Sequence, residues 1–328
     1  MTKPSVYVTR MIPEVCIDEL RKHFDVDVNS EDRALSYDEL KQKVRGKNAI
    51  VSLLTDTIDG GLLDAAGPQC KIVANYAVGF NNFDLKAATE RNVILTNTPG
   101  VLDDATATLT FTLLLATARR IAEADAYVRA GKWRGWAPLF FVGLDVDHRT
   151  LGIAGLGRIG KNVARKAAGF DMKIIYSDVN RDLAFEKEHN ARYVDKATLL
   201  KESDFLTLHV PLLPETKHYI GAAELKQMKK TAVLINAARG PVVDEKALVE
   251  ALRAKTIWGA GLDVFEDEPA LAPGLAELDN VVIVPHIASA TAETRFKMGE
   301  IAVNNVIKVL SGQAPDTCVN PDVLKAKA

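Results

Sequence analysis

The chain has 328 residues, 48% hydrophobic and 26% charged, with a formal net charge of −2 at pH 7. That length exceeds one compact core and suits two domains of a soluble globular protein. With no basic run and no apolar run long enough for a bilayer, nucleic-acid and membrane roles have no support from composition.

The first residues enter a short strand without the apolar core of a signal peptide. Cys16, Cys70 and Cys318 are scattered and odd in number, so they match neither a disulfide framework nor a metal pattern. The expectation is a cytoplasmic protein with reduced cysteines and no metal site.

In chain order, residues 6–9 read as a strand, 14–24 as a helix, 26–28 as a strand and 37–44 as a helix. Strands at 49–54, 72–75 and 93–95 alternate with helices at 59–66 and 84–91. Repeated β and α units imply a parallel sheet with helices on both faces. Thr98-Pro99-Gly100 then punctuates the chain. Residues 101–130 read as one long helical stretch, apolar on more than one face. Residues 131–147 read as a loop holding Trp133, Trp136, Pro138, Phe140 and Phe141. So many aromatics would be costly in water, so they cover either a domain core or a subunit interface.

The βα alternation resumes at Leu151-Gly-Ile-Ala154, an apolar run that reads as a buried strand. Gly155-Leu156-Gly157-Arg158-Ile159-Gly160 follows, and then a helical pattern. Strand, glycine turn and helix in that order form a dinucleotide-binding fingerprint, with the helix N-terminus open to a pyrophosphate. The next strand, 173–177, ends in Asp178, close to the spacing of about 20 residues at which an acid takes the ribose hydroxyls. Strands at 205–210, 232–236, 258–264 and 281–284 come next, with a helix at 244–254. A long helix spans 291–310. The tail, 314–328, has no period and is expected to be partly disordered.

Three polar residues lie just beyond strand ends: Arg239, Glu268 and His286. Ligands of open α/β sheets bind there. Arginine pairs with a carboxylate in a planar two-bond fork. Histidine can hand a proton to a forming alkoxide and take it back. A neighbouring glutamate orients the ring and favours its charged form. The set suits hydride transfer to a small 2-keto acid. At the ribose, the carboxylate of Asp178 favours NAD(H), whereas Arg181 close behind it is the residue type that would read a 2′-phosphate. The balance favours NAD(H) over NADP(H).

Five motifs are similar to those of D-isomer-specific 2-hydroxyacid dehydrogenases: 155–160, His209-Val210-Pro211 through Thr216, Asn236-Ala-Ala-Arg-Gly-Pro through Asp244, Gly261-Leu-Asp-Val-Phe-Glu-Asp-Glu-Pro269, and Pro285-His286. The resemblance covers nearly the whole chain. It implies two doubly wound parallel-sheet α/β domains: a flavodoxin-like substrate-binding domain of residues 1–99 and 289–328, and a Rossmann NAD-binding domain of residues 100–288 inserted into it. It implies Arg239, Glu268 and His286 as the catalytic set. It implies substrate contacts from Leu54, Arg239, Trp136 and the backbone N–H groups of Val78 and Gly79. It implies cofactor contacts from Thr106, Gly155, Leu156, Gly157, Arg158, Ile159, Gly160, Asp178, His209, Val210, Pro211, Thr216, Ala237, Ala238 and Asp263. A homodimer built on the cofactor domain is implied as well.

Within the family, the loop around Trp136 and Pro138 resembles one that reaches the neighbouring subunit's pocket in glyoxylate/hydroxypyruvate reductases. The related phosphite dehydrogenases carry a lysine where this chain has Val78, which argues against that activity. 3-Phosphoglycerate or D-lactate dehydrogenase activity and a non-catalytic NAD sensor are the other readings. Leu109 departs from the pattern, because many relatives carry an acid after Ala105-Thr106-Ala107.

Overall fold

The computed structural model describes residues 3–325. It divides into two compact units, residues 3–102 with 289–325 and residues 103–288.

In the first unit, five strands form one parallel sheet: β1 (Ser5–Val8), β2 (Asp25–Val28), β3 (Ala49–Ser52), β4 (Ile72–Asn75) and β5 (Ile94–Thr96). Their order is β2-β1-β3-β4-β5, a doubly wound order of the flavodoxin type. Every residue of β3, β4 and β5 is buried, as a strand with helices on both faces requires, whereas edge strand β2 is partly exposed along its length. Side chains start the helices: Asp59 accepts from the Leu62 N–H and Asp84 from the Ala87 N–H. The long helix Ala292–Leu310, capped by Thr291, packs on β3, β4 and the helix Glu14–His23.

Residues 314–325 of the tail are described. Its backbone is tied to β5: the Val319 N–H donates to the Leu95 carbonyl at 2.9 Å. The Asn320 side chain accepts from the Leu95 N–H at 2.9 Å and donates to the Val93 carbonyl at 3.0 Å. A short helix, Asp322–Lys325, follows. Residues 326–328 lie outside the described ones.

The second unit holds β6 (Thr150–Ala154), β7 (Lys173–Ser177), β8 (Arg192–Tyr193), β9 (Phe205–Leu208), β10 (Val233–Asn236), β11 (Gly259–Leu262) and β12 (Val281–Ile283). All pairs are parallel, in the order β12-β11-β10-β9-β6-β7-β8. The order reverses between β6 and β9, the switch point at which Rossmann folds take dinucleotides. Alternate residues serve opposite faces. Phe205, Val233 and Ile235 enter one core, while Leu206, Leu208 and Leu234 enter the other.

The helical stretch expected at 101–130 is two helices, Asp103–Ala118 and Ile121–Arg129. Arg120 breaks it in the left-handed region, with φ of 55°. Its guanidinium donates twice to Glu123, at 2.8 Å each, and lies 4.8 Å from the Phe141 ring centre. The first helix buries Ala107, Phe111, Leu113, Leu114 and Ala118, and packs on the helix Arg158–Ala167, β10 and β11. Short helices at Leu183–His189 and Lys196–Glu202, and strand β8, were not expected from the sequence.

Candidate active site

The fingerprint turn is built by close approach. Gly155 has φ of 92°, and a Cβ there would stand 2.8 Å from the His209 carbonyl carbon. Only glycine lets the end of β6 pass so near the end of β9. The helix Arg158–Ala167 then starts at Gly157 with no side-chain cap, so its N-terminal dipole is open to an anion.

Asp178, just past β7, accepts from the Leu156 N–H at 2.7 Å and the Asn180 N–H at 3.1 Å. Its carboxylate is thereby fixed beside the glycine turn. His209 donates its N–H to the Ala154 carbonyl at 2.7 Å. Its ring Nε2 is buried without a partner, and burial pushes the imidazole down to about 4. The Thr216 hydroxyl donates to the Pro211 carbonyl at 2.6 Å and accepts from the Leu213 N–H at 2.8 Å, closing the loop that begins at Val210. Arg158 is paired with Asp103 at 2.9 Å, at the start of the helix that carries buried Thr106. A glycine cradle, an uncapped helix start and an orphaned ring nitrogen at the switch point fit a dinucleotide.

Beyond β10, β11 and β12 three side chains come together. The His286 Nδ1 lies 2.9 Å from Glu268 Oε2, and the Phe265 N–H donates to Glu268 Oε1 at 3.0 Å. Burial pushes the Glu268 carboxyl up. The hydrogen bond from His286, the His286 charge, the Phe265 N–H and the Arg239 charge outweigh it, and the net position is below the usual carboxylate range. Arg239 is half-buried; burial lowers its pKa, and the Glu268 charge opposes that shift.

Asp263 and Asn236 act as supports, a role the sequence did not reveal. His286 stands at φ of 53°, held because its N–H donates to the Asp263 carbonyl at 2.9 Å. The buried Asp263 carboxylate accepts from the Ile287 N–H at 2.6 Å and the Ala288 N–H at 3.0 Å. Asp263 thus fastens the turn that carries His286. On the other side, the Asn236 amide donates to the Arg239 carbonyl at 2.9 Å and its oxygen accepts from the Ala238 N–H at 3.1 Å, fixing Ala237 and Ala238 as well. A Cβ on Gly240 would fall 1.8 Å from the Phe265 carbonyl oxygen. That glycine lets the Arg239 turn press against the turn leading to Glu268.

Leu54, Val78 and Gly79 belong to the first unit, in turns after β3 and β4. Three amides, of which Asn75 and Asn97 are buried, and the buried Asp56 hold these turns. Asn97 donates to the Val78 carbonyl at 2.8 Å and Asn75 to the Gly79 carbonyl at 2.9 Å. Asn82 donates to the carbonyls of Leu53 and Asp56, at 3.2 and 2.9 Å. Asp56 accepts from the Leu53 N–H at 2.8 Å and the Thr9 hydroxyl at 2.6 Å. Asn75, Asn97 and Asp56 end or follow strands, which is the only sequence signal they carry. Trp136 lies on the second unit and is 85% exposed, so it covers no core of this chain.

Residues 111–288, more than half of the chain, match the model of the D-isomer specific 2-hydroxyacid dehydrogenase NAD binding domain. The glyoxylate reductase of Thermococcus litoralis is 52% identical over 98% of this chain and 98% of its own length. The crystal structure of the TT0316 protein of Thermus thermophilus superposes with a TM-score of 0.91 at 42% identity, covering 96% of this chain and 99% of that one. An NADPH-dependent glyoxylate/hydroxypyruvate reductase of Sinorhizobium meliloti, solved with NADP and malonate, gives a TM-score of 0.83 at 31% identity over 97% of each chain. The chain belongs to the D-isomer-specific 2-hydroxyacid dehydrogenases, a family of nicotinamide-dependent oxidoreductases.

Proposed function

We propose that this enzyme reduces small 2-keto acids, glyoxylate and hydroxypyruvate first among them, with NADH as the hydride donor. The observation that carries the reading is the 2.9 Å His286–Glu268 pair in one unit with Arg239 and the glycine cradle. The glyoxylate reductases among its relatives supply the substrate class.

In this reading the bound nicotinamide supplies the hydride that reduces the keto carbon. His286 gives its proton to the carbonyl oxygen as charge develops there. Glu268 holds the His286 ring and steadies its charged form. Arg239 grips the keto acid through its fork, and the N–H groups of Val78 and Gly79 take the carboxylate. Leu54 and Trp136 bound the substrate, with Trp136 reaching it in a second copy of the chain. The cofactor rests on 155–160, Thr106, Asp178, 209–211, Thr216, Ala237, Ala238 and Asp263. The domains that carry these roles are residues 1–99 with 289–328 and residues 100–288, and the enzyme works as a cytoplasmic homodimer.

NAD(H) is preferred to NADP(H) because the fixed Asp178 carboxylate accepts ribose hydroxyls and repels a 2′-phosphate. One relative is NADPH-dependent, so the two cofactors are to be compared directly. The decisive assay follows NADH and NADPH oxidation with glyoxylate, hydroxypyruvate and pyruvate. Turnover of none of them would reject the proposal. Tight NADH binding without turnover would favour a sensor instead.

A further inference from the structure

We propose that Glu186 sets the cofactor choice by withholding Arg181 from the place a ribose 2′-phosphate would take. The inference rests on the reading of Asp178 as the ribose-binding acid.

Arg181 follows Asp178 closely and is the residue type that would read such a phosphate. It is already engaged. Its Nε donates to Glu186 Oε1 and its second terminal nitrogen to Glu186 Oε2, at 2.8 Å each. This two-pronged fork is the same geometry a phosphate would need.

The Glu186 carboxylate is itself anchored. The hydroxyl of fully buried Tyr176, a β7 residue, donates to Glu186 Oε1 at 2.9 Å and accepts from the Asp182 N–H at 2.8 Å. The Glu186 side chain is 15% exposed against 57% for Arg181, so the acid is the buried partner of the pair and the arginine the exposed one. The hydrogen bond from Arg181 holds Glu186 below the usual carboxylate range, so it stays charged at neutral pH.

An ordinary surface ion pair contributes little. A bidentate pair seated on a buried tyrosine is the exception to that rule. A second cation at this end of the sheet is paired in the same way: Lys161 lies 2.6 Å from Asp182. Asp178, Asp182 and Glu186 thus outnumber Lys161 and Arg181 beside the end of β7. A 2′-phosphate arriving there would meet net negative charge and an arginine already held by its own acid.

The test uses Glu186→Gln in the full chain, which leaves the Tyr176 hydroxyl an acceptor and removes the charge. Calorimetry would follow NAD+, NADP+ and adenosine 2′,5′-bisphosphate, the last carrying no nicotinamide. Affinity for the two 2′-phosphate ligands is expected to rise about tenfold, the worth of one new charge-assisted fork, with NAD+ within about twofold of the unmutated chain. Adding Arg181→Ala should abolish the gain. Arg181→Ala alone should leave NADP+ affinity unchanged, which keeps the idea testable even if Glu186→Gln fails to fold. Unaltered NADP+ affinity in Glu186→Gln, a gain that survives loss of Arg181, or weaker NADP+ binding in Arg181→Ala alone would overturn it. Binding of neither dinucleotide by the unmutated chain would overturn the proposed function, and this inference with it.

Discussion

Glu268 holds His286 through Nδ1 at 2.9 Å, and that contact fixes which ring nitrogen is available for chemistry. Glu268 lies below the usual carboxylate range and is ionised at neutral pH, so it can only accept. The Nδ1 must therefore carry a proton whether the ring is neutral or charged. Nε2 is left as the atom that gains and loses the transferable proton.

Replacing His286 should remove turnover and spare the cofactor. At φ of 53° asparagine is the gentlest substitute, because its short polar side chain tolerates the left-handed region. His286→Asn is expected to lower kcat by about 10²–10⁴ while NADH binding, followed by fluorescence, stays within about twofold. Lost NADH binding would show that His286 belongs to the cofactor site rather than to proton transfer.

Glu268→Gln tests the pair through pH. The ionised carboxylate favours the imidazolium, and the neutral amide does not. The sign follows from the lowered Glu268: its contribution is present above the ordinary carboxylate range and is lost only as pH falls through its lowered value. At neutral pH the native enzyme therefore has the contribution in full and the Gln variant lacks it. The alkaline fall of the reduction rate should move to lower pH in the variant. An unmoved profile would reduce Glu268 to a purely steric role.

Arg239→Lys keeps a charge and loses the planar fork. The KM for glyoxylate is expected to rise by about tenfold or more, with a smaller change in kcat. Arg239→Ala should go further. Equal kcat/KM for Lys and Arg would mean that only the charge matters there.

The sheets and the three strand-end residues were legible because buried parallel strands read as apolar runs and ligand-binding residues follow their ends. The amides and the acid that hold Leu53, Val78 and Gly79 were not: Asn97 and Asn82 reach partners that follow other strands, and the local bonds from Asn75 to Gly79 and from the Leu53 N–H to Asp56 carry no distinctive spacing. Arg120 hid in a stretch with no glycine or proline; its break depends on Glu123 and Phe141. The helices Leu183–His189 and Lys196–Glu202 did carry a signal. Asp182 and Asp195 cap their first turns, accepting from the Phe185 and Thr198 N–H groups. Short length and weak periodicity concealed them.

The exposed loop makes a prediction about assembly. Trp136 and Leu139 are 85% and 87% exposed, with Trp133, Phe140 and Val142 also exposed nearby in sequence. Such a cluster marks an interaction surface. Sedimentation equilibrium should give a dimer. The pair Trp136→Ser and Leu139→Asp should weaken it by about thirtyfold or more, the scale of one lost hot spot of about 2 kcal/mol. Unaltered dimerisation would move the interface elsewhere.

His209 offers the clearest prediction about stability and pH. Its Nε2 is buried without a partner, and burial lowers the imidazole from 6.5 to about 4. The unfolded chain protonates this ring near the ordinary value, and the folded chain does not until far lower. Below 6.5 the unfolded state therefore binds one more proton at this site. The stability that neutral His209 protects is fully present above pH 6.5 and is lost as pH falls toward 4. The slope from this one group is about 1.4 kcal/mol per pH unit across that window. Other carboxylates titrate in the same range, so the comparison must be a difference. Urea unfolding of the native chain and of His209→Asn at pH 7, 6, 5 and 4.5 isolates it. The variant lacks the titrating ring, so it should lose less stability on acidification, and the gap between the two curves should change steadily with pH. Parallel curves would mean that the His209 ring reaches solvent or a proton acceptor in the folded chain.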